Sequence, residues 1–413
     1  MTDPATERGS GRSLRVLITN NTLAARAGTE MFVRDLALGL ARRGHRPVAY
    51  STLLGDVAAE LERHSIPVID DLGALGEEPD LIHGQHHLDA MTAMTRFPSV
   101  PAVYVCHGWL PWEELPPLFP SIREYVAVDD LCLERLLTTP GIPSGATRVI
   151  HNAVDLERFA PRPPLPARPT SALVFSNLAT ADNFGGVIAR ACRAAGIARV
   201  DIVGRASGHP VPAPEDVLGE YDVVFAKGRS AIEAAAVGCA VVVADSNGMS
   251  DLTTSARLPR VHGLNFGLRV EQDHRVTAEN VSRALAEYDP ADAAAVSAWL
   301  RAHSSLDAAL DRWEQVYADA LGPREPTGTD DAEALRAAAR YLRGLVPVLK
   351  ARDDGWAAAE RARADADARV AGLQTELEES RQRWETVTRS RAWRASTVAW
   401  RINARLPRRR SGG

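Results

Sequence analysis

LRVLITNNTLAARAGTEMFVRDLALGLARRGHRPVAY, residues 14–50, holds two apolar runs of strand length with a segment of helical period between them. Valine, leucine and isoleucine crowd residues 14–19, as in a strand that is buried on both faces. Residues 29–44 then place apolar side chains at helical spacing and end in glycine, which is typical of an amphipathic helix. This order of strand, helix and strand predicts a parallel α/β unit.

The same alternation continues to about residue 321 and is interrupted by two breaks. Residues 160–170 carry five prolines, which forbid a helix and a central strand alike. Residues 322–330 form the second break, and a segment rich in alanine, arginine and glutamate follows it. Further strands are predicted at 46–51, 66–69, 80–83, 101–106, 124–128, 147–151, 171–176, 199–204, 222–226 and 240–244, and further helices at 182–195, 230–238, 277–287, 290–302, 303–320 and 331–400.

We therefore predict an α/β chain with two doubly wound, Rossmann-like domains that face a cleft, followed by a long C-terminal helical extension. The predicted segments are a disordered leader at 1–13, an N-terminal domain at 14–159, a proline-rich linker at 160–170, a second domain at 171–321, a linker at 322–330, and an extension at 331–413 with a basic tail rich in tryptophan and arginine.

Composition excludes several classes of protein. A hydrophobic fraction of 45% and a charged fraction of 24% are those of a globular chain rather than a disordered or fibrous one. No apolar run reaches the length of about 18 residues that a membrane-spanning helix needs. The four cysteines are scattered without a C-x-x-C pair, which predicts a reduced, cytoplasmic protein with neither disulfides nor a zinc site.

The net charge of −5 is unevenly distributed. From Arg381 onward ten arginines face one acid, Glu385, so the remainder of the chain is strongly acidic. The acidic body would repel nucleic acid. Tryptophan and arginine at 380–413 predict either an anionic membrane surface or a partner protein for this segment. Residues 331–379, which precede this segment, show no firm heptad, so the sequence neither predicts nor excludes a coiled coil there.

Chemistry is expected in the loops that follow strands, because parallel sheets bind ligands at the carboxyl ends of their strands. Residues 20–30 supply small side chains, with Gly28 and Thr29 at a helix start where unpaired N–H groups attract anions. An ordinary turn with Thr29 as helix cap explains the same residues. His107 follows the strand at 102–106 and is placed to contact a sugar hydroxyl, although a lone histidine is more often structural.

A second loop places Lys227 and Arg229 on either side of Gly228 at another helix start. Cations and backbone donors that converge in this way suit a diphosphate leaving group. Glu233, one turn later, either accepts two ribose hydroxyls or forms an S-x-x-E capping box with Ser230. On this reading Arg229→Ala lowers turnover and leaves thermal stability near that of the wild type.

Two further groups of residues complete the candidates. The segment 245–251 is predicted to run from a strand into a helix, with Gly248 allowing close backbone approach by a ligand. His83, His86 and His87 do not predict a metal site, because a break between strand and helix at Gly84 separates them.

The chain resembles the GT4-type glycosyltransferases of the GT-B fold, as a divergent member, over residues 14–321. Ala27-Gly28-Thr29-Glu30 is close to their G-G-x-E loop and is followed by an amphipathic helix and Arg43-Gly44-His45. RVIHNAVDLERF at 148–159 is similar to their V-I-x-N-G-V-D-x-x-x-F signature. The strand–helix–strand at 222–244 resembles the one that holds their nucleotide.

The resemblance implies roles for individual residues. Gly28, with Thr29, would bind the donor phosphate through its amide, and His107 would contact the donor sugar. Glu233, with Ser230 beside it, matches the ribose-binding glutamate of the family's E-x7-E motif. The loop that would face the phosphate or sugar corresponds to Asn247, Gly248 and Met249.

Three departures from the family pattern stand out. Phe225 replaces the first glutamate of E-x7-E, Ala153 replaces a glycine, and the loop at 176–183 lacks the usual arginine and lysine. We hypothesise that Lys227 and Arg229 supply the missing cations and act as catalytic residues together with His107.

The function that the resemblance implies is transfer of a sugar, with retention, from a nucleotide-sugar donor. The expected acceptor is a glycan, a lipid-linked molecule or another glycoconjugate in cell-surface polysaccharide biosynthesis. No cofactor and no metal are expected, and the expected location is the cytoplasm, peripherally at the inner face of the membrane. The alternatives are a GT-B nucleotide-sugar epimerase or hydrolase, and a catalytically degenerate scaffold that binds a nucleotide sugar.

Overall fold

The computed structural model describes residues 12–323, 331–393 and 395–396. The chain forms two units that divide between Ala339 and Arg340. The first unit contains both sheets and the second contains most of the long C-terminal helix.

The elements follow the predicted alternation closely in the first unit. The strands are β1 Arg15–Thr19, β2 Arg46–Tyr50, β3 Val68–Ile69, β4 Leu81–Gln85, β5 Ala102–Cys106, β6 Ile122–Ala127, β7 Thr147–Val149, β8 Ser171–Phe175, β9 Arg199–Val203, β10 Val223–Ala226, β11 Ala240–Asp245 and β12 Gly248–Leu252. The helices are α1 Gly28–Arg42, α2 Asp56–Arg63, α3 His87–Arg96, α4 Asp130–Thr138, α5 Phe184–Ala194, α6 Gly228–Val237, α7 Leu258–Gly263, α8 Leu268–Glu271, α9 Ala278–Ala286, α10 Pro290–His303, α11 Leu306–Leu321 and α12 Asp331–Arg389.

The first sheet has seven parallel strands in the order β3-β2-β1-β4-β5-β6-β7. Its centre is apolar, with Val16, Leu17 and Ile18 of β1 fully buried, because helices cover both faces. The strand order changes direction between β1 and β4, which pair in parallel. A crevice opens at the carboxyl ends of the strands at such a switch point, and the loop from β1 to α1 lies there.

The second sheet has five strands in the order β12-β11-β10-β8-β9, parallel except for β12. The prediction of a helix after residue 245 is wrong, because the chain turns back there as an antiparallel hairpin. Ser246 and Asn247 form its turn and Gly248 follows with a φ of 144°. An Asn-Gly pair marks a turn, and this local signal prevails over the strand–helix alternation of the preceding sequence.

Helix α11 belongs to the second domain in sequence but packs on the first sheet. The Trp313 ring lies 5.9 Å from that of Phe32 in α1 and 4.8 Å from that of His83 in β4. Tyr317 of α11 adds a hydrogen bond of 2.8 Å between its hydroxyl and His83 Nδ1. The two α/β parts of the first unit are therefore tied together by packing as well as by the 160–170 segment.

Helix α12 covers 59 residues and ends at Arg389. After a bend at Ser390, residues 391–393 and 395–396 are helical again, so the helix predicted over 331–400 is found with one interruption as far as it is described. None of the described helices is both long and apolar enough to cross a bilayer. Most of the predicted docking segment at 380–413 lies outside the described residues.

Candidate active site

A cavity of about 470 Å³ lies between the carboxyl ends of the two sheets. Both sheets contribute to its wall, and most of the residues singled out from the sequence meet there. The predicted residues that line it are Gly28, Thr29, His107, Lys227, Arg229, Ser230 and Asn247.

Helix α1 presents its N-terminus to this cavity. Its cap residue is Ala27, and no side chain caps the helix. The interpretation of Thr29 as the cap is therefore wrong; its hydroxyl instead hydrogen-bonds Glu30 Oε2 at 3.1 Å. Burial raises the pKa of Glu30, which favours its neutral form beside the helix start. Free N–H groups and the positive end of the helix dipole make this a site for an anion.

Gly28 has no steric reason to be glycine in the ligand-free fold. A Cβ at this position would meet no heavy atom within 4 Å. We therefore expect Gly28→Ala to leave the melting temperature unchanged or slightly higher, since alanine favours the helix.

The same methyl group would stand where a phosphate approaches the α1 amides, so binding of a nucleoside diphosphate should weaken at least several-fold. Isothermal titration calorimetry with UDP measures this, and Gly76→Ala, also without a neighbour within 4 Å, is the control. Equal UDP affinity in Gly28→Ala and the wild type would contradict a phosphate site at Gly28.

Lys227 stands at the start of the facing helix, α6, as its cap residue. Its Nζ lies 2.6 Å from Asp245 Oδ2 and 3.6 Å from Glu271 Oε1. Burial alone would lower the pKa of Lys227, but the hydrogen bonds to Asp245 and Glu271 and their negative charges together raise that pKa. The side chain is 40% exposed, so a fixed ammonium group faces the cavity.

The capping box at Ser230 and Glu233 does not form. Helix α6 begins at Gly228, two residues before Ser230, and its cap makes no side-chain hydrogen bond. Gly228 has a φ of 56°, in the left-handed region, and its N–H donates to Phe266 O at 2.8 Å. The start of α6 is thus set by its backbone, which leaves Glu233 available for another role.

Arg229 lies in a buried group of charges that joins α6 to α1. Its guanidinium pairs with Asp35 and lies 3.3 Å from Glu233 Oε1. Arg34 and Arg158 also reach Asp35, at 2.7 and 3.4 Å. Burial alone would raise the pKa of Asp35, but the positive charges of Arg229, Arg158 and Arg34 lower it. Arg229 is therefore only 10% exposed and holds the two α/β parts together, besides lining the cavity.

Glu233 lines a second cavity, of about 440 Å³, which shares Gly28, Ser230 and Arg229 with the first. Burial raises the pKa of Glu233 to about 7, against an opposing effect from Arg229. Near neutral pH this carboxyl is therefore poised between its charged and neutral forms. Arg158 and Arg205 stand in the same cavity wall.

His107 is held rigidly at the end of β5. Its backbone N–H donates to Glu114 Oε2 at 2.9 Å, and its ring meets Phe32 edge-on at 4.8 Å. Burial lowers the pKa of His107 to about 4, so the ring is neutral at pH 7. Its Nε2 has no hydrogen-bond partner within the described chain. A neutral imidazole with one unused nitrogen can bond a ligand hydroxyl.

The other histidines of this region serve the fold. Burial lowers the pKa of His83 to about 3, and the ring is bonded to Tyr317. His86 Nε2 lies 3.4 Å from Glu114 Oε1, and the His87 ring packs edge-on against Trp112 at 4.5 Å.

Gly248 and Met249 are not brought to either cavity. Both belong to β12, where Met249 is fully buried and its N–H donates to His274 O at 2.9 Å. Asn247, in the hairpin turn, does line the first cavity, and its amide nitrogen donates to Glu271 Oε1 at 2.9 Å.

Sequence reasoning missed four charged residues around the two cavities, and it included Asp245 only as part of the candidate segment 245–251. Arg205 directly follows β9, so the strand-end rule could have found it. Arg158 lies inside the 148–159 signature without having been given a role. Asp35 sits in the middle of α1 and Glu271 acts through Lys227, so only the tertiary structure connects these two residues to the site.

Comparisons with known proteins agree with this architecture. Residues 26–158 match the family model Glycosyltransferase Family 4. The fold is similar to a glycosyltransferase from Rickettsia africae ESF-5, with a TM-score of 0.54, 14% identity, and coverage of 76% of this chain and 100% of that one. It is also similar to Anabaena Alr3699/HepE, solved with UDP and glucose, with a TM-score of 0.52, 16% identity, and coverage of 74% and 99%.

A search of curated proteins found no match. At 14–16% identity the structural likeness shows the fold alone. The chain thus has the GT-B fold, and its residues 26–158 match the model of Glycosyltransferase Family 4.

Proposed function

We propose that the chain is a glycosyltransferase that takes its sugar from a nucleotide-sugar donor bound in the cleft. The observation that carries the proposal is the convergence of two helix N-termini, those of α1 and α6, on one cavity with Lys227 beside them. Such an arrangement concentrates positive charge where a diphosphate would lie. Anabaena Alr3699/HepE, which shares the fold, has been solved with UDP-glucose.

In this proposal the donor spans both cavities. The diphosphate lies between the start of α1 and Lys227, and the ribose reaches Glu233 in the second cavity. The sugar lies toward His107, whose free Nε2 bonds one of its hydroxyls. Gly28 allows the α1 amides to approach the phosphate closely, because nothing within 4 Å fills the space where a side chain would stand.

Transfer breaks the bond between the anomeric carbon and the β-phosphate oxygen and leaves negative charge on the diphosphate. Lys227 and the helix amides stabilise that charge as it develops, which is where such donors act most strongly. The proposal contains no metal and no cofactor, since these fixed groups supply the positive charge. Retention at the anomeric carbon, the cytoplasmic location and a glycan or lipid-linked acceptor of cell-surface polysaccharide biosynthesis are part of it, on the strength of the family resemblance.

Phe225 bears on the alternative of a degenerate scaffold. It stands where the resemblance implies a glutamate, yet it is fully buried in β10 and lines neither cavity. The presence of Phe225 instead of a glutamate therefore takes no charged group out of the cleft.

The epimerase or hydrolase alternative needs carboxylates free to act on the sugar. The two carboxylates in the wall of the first cavity, Asp129 and Asp245, are bonded to Cys132 N and to Lys227.

Release of free nucleoside diphosphate from donor, with and without acceptor, tests the activity. A glycosyltransferase releases the nucleoside diphosphate faster when acceptor is present. A hydrolase releases it at the same rate with and without acceptor, and a scaffold releases none.

UDP at 100 times its dissociation constant should stabilise the fold by about 2.7 kcal/mol in a thermal shift experiment. Absence of stabilisation by any nucleoside diphosphate would refute the proposed donor site.

Glu233→Gln tests the ribose contact. Loss of a charged acceptor for ribose hydroxyls, worth roughly 1.5–3 kcal/mol, should weaken nucleotide binding about 10- to 100-fold. The affinity of the wild type should also rise as pH increases through about 7, as the carboxylate forms. Titrations with UDP at several pH values measure both effects, with Glu279→Gln on the exposed face of α9 as control.

The Glu233→Gln variant also tests how the ionisation of Glu233 changes the stability of the fold with pH. The folded pKa of Glu233, about 7, lies above the ordinary 4.5, so the folded state holds its proton more tightly than the unfolded chain. Stability from this group is greatest below pH 4.5 and is lost as pH rises toward 7. The melting temperature of the wild type relative to Glu233→Gln should therefore fall over that range. A constant difference would show that Glu233 ionises normally.

A further inference from the structure

The second unit carries an apolar stripe along α12. From Leu342 to Trp384 every seventh residue is apolar except Arg363, and a second set lies three residues later. Together they form an a/d heptad pattern, which we call the seam. From residue 356 onward its members are Trp356, Ala359, Arg363, Ala366, Val370, Leu373, Leu377, Ser380, Trp384 and Val387.

The seam is exposed throughout this range in the single chain. Val370, Leu373 and Leu377 are 52%, 57% and 52% exposed, and Trp356 and Trp384 are 69% and 60% exposed. A helix of this length gains most of its stability from packing an apolar face, so an unpacked seam indicates a missing partner. A strict a/d stripe is narrower than the face of a globular helix and is the geometry of a coiled coil.

We propose that the chain forms a homodimer through an antiparallel coiled coil of residues 356–387. In a parallel pair Arg363 would face its own copy in the core. In an antiparallel pair with Val370 opposite Leu373 of the second copy, Arg363 instead faces Ser380. The same alignment sets Trp384 against Ala359, so large and small side chains interlock.

Charges beside the seam fit this alignment. Arg369 and Glu376 flank one edge of the seam. Antiparallel pairing brings Arg369 of one copy beside Glu376 of the other. Glu360 and Arg381 flank the other edge and meet in the same way. None of these four has an ion-pair partner in the described part of α12, whereas Arg383, on the same edge as Arg369 and Glu376, pairs with Glu379 of its own helix. Complementary flanking charges set the partner and the orientation of a coiled coil.

A second copy of this chain fits the seam better than an anionic membrane. Between residues 356 and 389 six basic side chains stand beside seven acidic ones, so this stretch has no net positive charge to draw it to anionic lipid. The heptad is hard to see in the sequence alone, because alanines and Arg363 interrupt it.

Analytical ultracentrifugation of the full-length protein tests the dimer. The wild type should sediment at twice the monomer mass at micromolar concentration, and Leu373→Asp/Leu377→Asp should be monomeric. The matched control, Thr375→Asp/Gln382→Asp, introduces the same charges on the opposite face of the helix and should remain dimeric. Donor cleavage should proceed in both variants, because the substituted residues lie outside the cleft.

A monomeric wild type, or equal dimerisation in both double variants, would overturn the proposal. So would flotation of monomeric wild-type protein with vesicles that contain anionic lipid, since the seam would then serve a membrane.

Disulfide trapping tests the orientation. Ala366→Cys and Leu377→Cys place thiols that face each other only in the antiparallel pair, and the four native cysteines are buried. A mixture of the two variants should form a cross-linked heterodimer on mild oxidation, while either variant alone should not. Cross-linking of either variant to itself would overturn the antiparallel arrangement.

Discussion

Arg229→Ala should lower turnover about 10²–10³-fold if its guanidinium supports the departing diphosphate. The same change should lower the free energy of unfolding by about 3–5 kcal/mol, because it leaves Asp35 buried without its main positive partner. The structure thus replaces the sequence-based expectation of unchanged stability with an expected loss. That expectation treated Arg229 as a cation facing an open cleft, whereas the structure pairs Arg229 with Asp35 across the two α/β parts.

A double-mutant cycle separates the two effects of Arg229. Asp35→Asn alone should also destabilise, since it leaves three arginines without their shared carboxylate. Asp35→Asn/Arg229→Ala should recover much of the lost stability, because the buried charges are removed together. It should not recover turnover. Recovery of both in the double variant would show that Arg229 acts only as an interdomain tie.

Thermal denaturation and diphosphate release supply the two measurements. Arg229→Lys is informative beside them, since it keeps the charge but cannot bond Asp35 and Glu233 in the same planar geometry. It should be more stable than Arg229→Ala and less active than the wild type.

The sequence predicted the fold because local pattern and global architecture agree over most of the first unit. The apolar run at 14–19 became β1, with its central residues fully buried. The helix predicted at 29–44 became α1, one residue earlier at its start. The strand-end rule also led to Gly28 and Lys227, since loops at the carboxyl edge of a sheet must meet in the crevice.

What the sequence could not supply was the pairing of charges. Asp35 and Arg229 are 194 positions apart, and nothing in the helical pattern of α1 distinguishes Asp35 from a solvated acid. The hairpin at Ser246-Asn247-Gly248 was missed for a different reason. A local turn signal competed there with the expectation that another helix follows each strand, and the local signal won.

Lys227→Met should lower turnover about 10²–10³-fold, as expected for loss of one donor that acts on developing charge. Lys227 is the only cation of the first cavity that is both fixed and substantially exposed among the described residues, because Arg229 is enclosed by Asp35 and Glu233. The Michaelis constant should change less than turnover, since the negative charge on the diphosphate grows as the bond breaks.

The chain offers a matched control for this variant, because it contains only two lysines, Lys227 and Lys350. Lys350 is exposed on α12, so Lys350→Met should have wild-type activity. Amine-specific labelling followed by mass spectrometry gives a second readout. UDP should protect Lys227 from modification and leave Lys350 as reactive as before. Equal labelling of Lys227 with and without UDP, or normal turnover in Lys227→Met, would remove Lys227 from the reaction.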